Sequence, residues 1–385
     1  MCRTYYGEIV SKKLTIVQIV PEMEEGGVEG ETFDLAVELA RRGYRSIVIS
    51  TGGRLVEGLL AAGVEHLSWP GIGSKNFSCL PNIARLRRLM LTEKVDVLHL
   101  RSRLPAWVGW LAWKSLPVVK RPAILTTFHG FHSVNCYSKI MTRGERVVAV
   151  SKSIKDHIIE SYGTDPDKID IIYGGVDTQQ FSPEAVPEQR VLDLARAWGL
   201  VERGVPIIVL AGRMTRLKGQ DVFIDALAKI KDLNFFAICI GDVPENSYTA
   251  SLKEKIKSHG LASKVILAGH CKDMPAAFQL SDIVVSASST HAEAFGKVTI
   301  EAMAMAKPVV ATAHGGSLEI VQPGKTGWLV PPLDSEGMGQ ALKEALEDRE
   351  ERERRGALGR LRVEENFTVD VMYNKSIELY HAIVK

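Results

Sequence analysis

Two glutamates, Glu293 and Glu301, stand eight positions apart in the segment EAFGKVTIE. Its first half carries Phe295, Gly296 and Lys297, and its continuation VTIEAMAMA, from Val298 onward, has helical spacing. A helix starting near Lys297 offers unpaired N–H groups and the positive end of its dipole, which attract an anion such as a diphosphate. A rise of about 1.5 Å per residue over eight residues is roughly 12 Å, comparable with the distance between two sugar rings joined by a diphosphate. One acid could accept from the hydroxyls of one ring and the second acid from the other. Two unrelated surface glutamates would show the same spacing.

Three further segments carry chemistry. Ala211-Gly212-Arg213-Met-Thr-Arg216-Leu-Lys218-Gly219 follows the apolar run PIIVL. Gly212 lets backbone approach a ligand, and Arg213 and Lys218 place two cations at a strand-to-helix turn, a geometry suited to a diphosphate. An exposed basic turn is the plain alternative. Glu24-Glu25-Gly26-Gly27-Val28-Glu29 lies between the first apolar run and the first helical pattern. It is not a GxGxxG fingerprint, which weighs against a nicotinamide cofactor. Thr127-Phe128-His129-Gly130 ends another apolar run, placing His129 at a strand edge open to a cleft. His129 and His132 lack third and fourth partners nearby, so no metal site is expected. Asp165-Pro166-Asp167 reads as a turn or cap.

These segments need elements to hold them. Apolar runs at 14–20, 46–50, 95–100, 123–128 and 146–150 alternate with helical patterns, and the rhythm resumes at 206–211, 235–240, 265–268, 283–286 and 308–312. Alternating strands and helices imply parallel sheets covered on both faces. The break at 173–188, rich in Gly and Pro, reads as a linker. The chain of 385 residues is too long for one core. Ligands are then expected at the C-terminal edges of the strands.

Composition narrows the class. A net charge of +2 and 45% apolar residues exclude a disordered chain and do not call for nucleic acid. The five cysteines, Cys2, Cys79, Cys136, Cys239 and Cys271, are widely spaced without a CxxC pair, as expected of reduced thiols in a cytoplasm. No signal peptide and no bilayer-spanning run is read. Between residues 85 and 146, twelve basic residues face three acidic ones, with Trp107, Trp110 and Trp113 among them. Such a stretch would suit an anionic glycolipid or membrane interface; core tryptophans beside solvated arginines are the alternative.

Together the segments are far more specific than any one. With GGVDTQQFSP at 174–183 and KPVVATAHGGSLEIV at 307–321, the chain resembles, over essentially its whole length, glycosyltransferase family 4. Those are retaining transferases of the GT-B fold, and the resemblance extends to bacterial enzymes of lipopolysaccharide and other surface glycans. It implies an α/β protein of two Rossmann-like domains across a cleft: residues 1–180 for the acceptor, completed by a C-terminal helix at 367–385, and residues 181–366 for the nucleotide sugar.

The resemblance also implies roles. Arg213 and Lys218 would bind the donor diphosphate. Glu293 would hold the donor sugar, with backbone amides of Phe295, Gly296, Lys297 and Val298. Glu301 would bind the ribose. Gly26, Gly27 and Gly212 would lie near the phosphates, His129 near the reaction centre, and the backbone of Gly269, His270 and Cys271 at the base. His129, Arg213, Lys218 and Glu293 would form the catalytic group. No metal or other cofactor is implied beyond the donor. The expected partners are a nucleotide sugar, a carbohydrate or glycolipid acceptor and an anionic membrane surface, with the protein cytoplasmic or peripheral on the inner face of the membrane. A glucan-extending enzyme acting on a soluble acceptor, or a GT-B protein that binds glycans without catalysis, remain alternatives. The glucan synthases carry a KxGGL loop where this chain has EEGGV.

Overall fold

A computed structural model describes residues 13–24, 26–74, 77–200 and 204–384. Cys2, Glu25 and Lys385, named above, lie outside them. The chain forms two compact units. Of the described residues, the first comprises those within 13–149, 157–170 and 375–384, and the second those within 150–156 and 171–374.

The first unit is built on a seven-stranded sheet: β1 (Thr15–Ile19), β2 (Arg45–Ser50), β3 (Glu65–Ser68), β4 (Val97–Leu100), β5 (Ala123–Phe128), β6 (Arg146–Ala149) and β7 (Ile169–Ile171). Their spatial order is β3-β2-β1-β4-β5-β6-β7, and the ladders of β1 with β2 and β4, and of β5 with β4 and β6, are parallel. The middle strands are buried along their length, as in TIVQI and AILTTF, because helices cover both faces. β3 has a half-exposed pattern and β7 only three residues, so neither shows the continuous apolar run that marks the other strands. The final helix, Val369–Ile383, sends Tyr380 into this unit. Its hydroxyl pairs with His99 Nδ1 at 2.8 Å, while His99 Nε2 pairs with Thr127 Oγ1 at 2.6 Å.

The second unit carries six strands: β8 (Ile207–Ala211), β9 (Phe236–Ile240), β10 (Val265–Gly269), β11 (Ile283–Ser286), β12 (Val309–Thr312) and β13 (Gly327–Val330). All ladders are parallel, in the order β10-β9-β8-β11-β12-β13. Ile208, Leu210, Phe223, Leu227, Val285 and Val310 belong to its core. In both sheets the order reverses beside the first strand, at β1/β4 and at β8/β11. Connections leave such neighbours in opposite directions, which opens a crevice at their C-terminal ends.

Part of the basic stretch is committed to packing. Trp107 Nε1 donates to Tyr137 O at 3.0 Å and Trp113 Nε1 to Pro122 O at 2.8 Å. Lys114 lies over Trp110 and Arg121 over Trp113. All three rings are half-buried, so they serve as internal supports more than as an open aromatic face. Asp165 caps the turn Pro166–Lys168 by accepting from Asp167 N at 3.0 Å. Among the described residues no helix is long and apolar enough to cross a membrane.

Gly219 illustrates how tightly the second unit closes. Its φ is +68°, and a Cβ there would stand 1.9 Å from Ala287 O at the end of β11. Gly219→Ala is expected to lower stability by more than about 2 kcal/mol, read as a lower urea midpoint with an unchanged slope.

Candidate active site

The second unit's crevice is made by the loops after β8 and β11. After β8 the chain passes Gly212 at φ +153°, buries Met214, and makes a turn at Arg216–Lys218. Gln220, fully buried, holds this turn by donating to Arg213 O at 2.9 Å. From the other strand, Ser289 N donates to Leu217 O at 3.0 Å, drawing the two loops together. Lys218 Nζ then donates to Glu293 Oε2 at 2.6 Å, and Ser288 Oγ donates to the same oxygen at 3.0 Å. Both partners of this ion pair are about one quarter exposed, so the charges are partly desolvated and remain within reach of a ligand.

Glu293 is held by its backbone as well. It bridges Gly315, and Gly316 N donates to Glu293 O at 2.8 Å. A Cβ at Gly315 would meet Glu293 O at 2.2 Å, and one at Gly316 would meet Phe295 O at 2.0 Å. The loop His314–Gly316 therefore lies flat against the acidic segment, and only glycine permits it. Phe295 packs with Tyr173 and Phe367 at ring separations of 6.0 and 5.9 Å.

The helix in this segment is Lys297–Ala304, preceded by Gly296 at φ +116° without a side-chain cap. Glu293 is outside it, so the roughly 12 Å spacing drawn from a continuous helix does not apply: the chain turns at Gly296. Lys218, Glu293, Gly296, Lys297 and Val298 line one small cavity of about 80 Å³. The uncapped helix start faces the same space as the lysine and the acid.

Glu301 is one turn into that helix, half-buried, and its carboxyl makes no hydrogen bond among the described residues. Burial pushes it up to about 7, against the pull of Lys297. Arg213 is exposed and its side chain makes no hydrogen bond or ion pair among the described residues. Of the two expected cations, only Lys218 meets Glu293. Gly269 ends β10, His270 and Cys271 follow it, and none of the three lines the cavity. Gly241 N donates to Gly269 O at 2.9 Å, while Asp273 anchors the far end of the loop by accepting from Ala276 N and pairing with Arg190 at 2.5 and 2.7 Å. Burial raises the Cys271 thiol above its ordinary value.

In the first unit Gly26 and Gly27 open the helix Gly27–Arg41, Gly26 being its extended cap residue. The space where a side chain of Gly27 would point is open. His129 follows β5, but its ring is 11% exposed, contrary to the open position expected from its place at a strand edge. Burial drives it down to about 4, so the ring is neutral near pH 7. Its Nδ1 is 3.8 Å from Glu31 Oε2. Glu31, its buried partner Arg101 and Ser288 were not marked by any motif; Gly315 and Gly316 lie in the 307–321 motif, which gave them no individual role. Among the described residues no cluster of three or more His, Cys, Asp or Glu is placed to hold a metal.

Residues 25–180 match the family described as Glycosyltransferase Family 4, and residues 197–362 match Glycosyl transferases group 1. A crystal structure of a glycosyltransferase from Rickettsia africae ESF-5 is 34% identical, covers 97% of this chain and 99% of its own, and superposes with a TM-score of 0.89. The D-inositol 3-phosphate glycosyltransferase of Salinispora arenicola is 26% identical over 369 residues, 89% of this chain and 80% of that protein. Anabaena HepE, solved with UDP and glucose, is similar in fold, with a TM-score of 0.81 at 23% identity over 95% of this chain and 99% of its own. The chain belongs to glycosyltransferase family 4 and has the GT-B fold. It is an enzyme, a glycosyltransferase of the hexosyltransferase type.

The raised Glu301 carboxyl gives a pH signature. Its folded value of about 7 lies above the ordinary 4.5, so its contribution to stability is complete below pH 4.5 and is lost as pH rises through 7. Glu301→Gln lacks that loss. Its urea midpoint relative to the parent should rise between pH 5 and pH 8; a constant difference would contradict the assignment.

Proposed function

We propose that the enzyme moves a hexose from a nucleoside diphosphate sugar to an acceptor hydroxyl with retention at the anomeric carbon. The observation that supports this most is the convergence of Lys218, Glu293 and the uncapped start of Lys297–Ala304 on one cavity at the β8/β11 reversal. A cation and free amides suit a diphosphate, and a fixed carboxylate suits sugar hydroxyls. Lys218 bonds the β-phosphate while keeping hold of Glu293, and Arg213, exposed on the same turn, closes onto the diphosphate when donor is present. Glu301 accepts from the ribose, and Gly269–Cys271 meet the base through backbone groups.

Glu293 serves as a hydrogen-bond acceptor for the sugar, not as a nucleophile: its Oε2 is already engaged by Lys218 and Ser288. The bond from the anomeric carbon to the β-phosphate oxygen breaks, the acceptor oxygen attacks from the same face, and its proton passes to the leaving diphosphate. The protein positions the partners and stabilises the leaving charge through Lys218, Arg213 and the helix amides, with no metal required.

The acceptor is a carbohydrate or glycolipid of a bacterial surface glycan. The basic excess of the first unit favours an anionic one, and a phosphorylated polyol appears in the name of the relative D-inositol 3-phosphate glycosyltransferase. The enzyme works in the cytoplasm and docks on the inner face of the membrane. The exposed Arg85, Arg87 and Arg88 meet the anionic lipid.

Incubation with a panel of nucleotide sugars, followed by NMR of the product, tests the reaction: retained configuration is expected, and inversion or a sugar covalently trapped on Glu293 would overturn it. Lys218→Ala and Arg213→Ala each remove charge-assisted bonds of about 1.5–3 kcal/mol, so turnover should fall roughly tenfold to a few hundredfold. Flotation with anionic liposomes should carry the protein upward at low salt and release it at high salt; no flotation at low salt would remove the membrane from the reading.

A further inference from the structure

The first unit has its own ion pair at its own strand-order reversal. Glu31 comes from the helix after β1 and Arg101 from the end of β4. Arg101 is 1% exposed; its Nη1 donates to Gln18 Oε1 at 3.0 Å and its Nη2 to Glu31 Oε1. A buried ion pair is a poor stabiliser, because desolvation offsets its attraction, so its presence at this edge calls for a role beyond packing. Arg101 bonds Glu31 through Oε1. The other oxygen, Oε2, faces His129 Nδ1 at 3.8 Å. On the far side of the same ring, Nε2 is buried and has no hydrogen-bond partner among the described residues. A buried, unpartnered ring nitrogen is costly to leave unmade and points to a group that arrives with substrate.

We propose that Glu31 is a positioning residue for His129: held by Arg101, it fixes the proton on Nδ1 and leaves Nε2 bare, ready to accept a hydrogen bond from a substrate hydroxyl. The ring is buried and neutral, so it carries one proton, and the nitrogen that holds it decides whether the opposite face donates or accepts. An ionised carboxylate only accepts, so it favours N–H on the side it faces. The separation of 3.8 Å exceeds a hydrogen bond, and a small rotation of the ring closes it when the site fills. The role in turnover rests on the transferase reading above, whereas the proton's position does not.

The experiment records the tautomer directly. Long-range proton–nitrogen NMR on labelled protein, with the His129 signals identified by their loss in His129→Gln, should show Nδ1 protonated and Nε2 bare. In Glu31→Gln, Arg101 still claims the side-chain oxygen, so the amide NH2 turns toward Nδ1 and the proton moves to Nε2. Turnover should fall roughly tenfold or more with little change in donor KM. Because Glu31→Gln leaves a buried guanidinium without its counter-charge and can lose the fold, the pair Glu31→Gln with Arg101→Met provides a second case. It removes both charges, and it should fold, show a mixed tautomer and stay slow. Parent protein protonated on Nε2, or either variant keeping the parent tautomer and rate, would overturn the proposal. Failure of every nucleotide sugar to react would defeat the transferase reading and leave the tautomer result standing.

Discussion

A parallel sheet whose order reverses beside its first strand cannot cover its own C-terminal edge at that point, because the two connections leave in opposite directions. Each unit of this enzyme has one such reversal, and each places an ion pair there. In the second unit the cation, Lys218, follows the first strand and the acid, Glu293, follows its neighbour. In the first unit the polarity is exchanged, with Glu31 after the first strand and Arg101 after its neighbour. Fold and chemistry are linked through this one topological feature, which places both ion pairs.

The two pairs differ in burial, and that difference separates their tasks. Arg101 is sealed among side chains and can only organise what surrounds it. Lys218 and Glu293 are half-open, bonded to one another and supported by Ser288 and the flat loop of Gly315 and Gly316. Pairing keeps both long side chains in place before a ligand comes, which reduces the ordering entropy that binding must otherwise overcome. The aromatic contacts of Phe295 with Tyr173 and Phe367 stiffen the same segment from behind.

Much of this was legible in the residues. Runs such as AILTTF and FAICI are strands because both sheet faces are covered, and the periodicity marked them within a residue or two. The short, half-exposed β3 and the three-residue β7 escaped because neither carries that signal. The segments bearing Lys218, Glu293 and Gly296 were visible since each joins a strand to a turn of unusual composition. The bend at Gly296 was not, because a glycine admits both signs of φ and its residue type does not say which it takes. Glu31 and Arg101 were equally hidden: they are seventy residues apart, and ordinary surface residues until β1 and β4 become neighbours.

The burial of Tyr380 against His99 also constrains the order of assembly. The first unit's polar centre is finished by a side chain from the helix Val369–Ile383, so it cannot close until that helix has been made. Local order in that sheet thus depends on a contact between residues 281 apart in sequence.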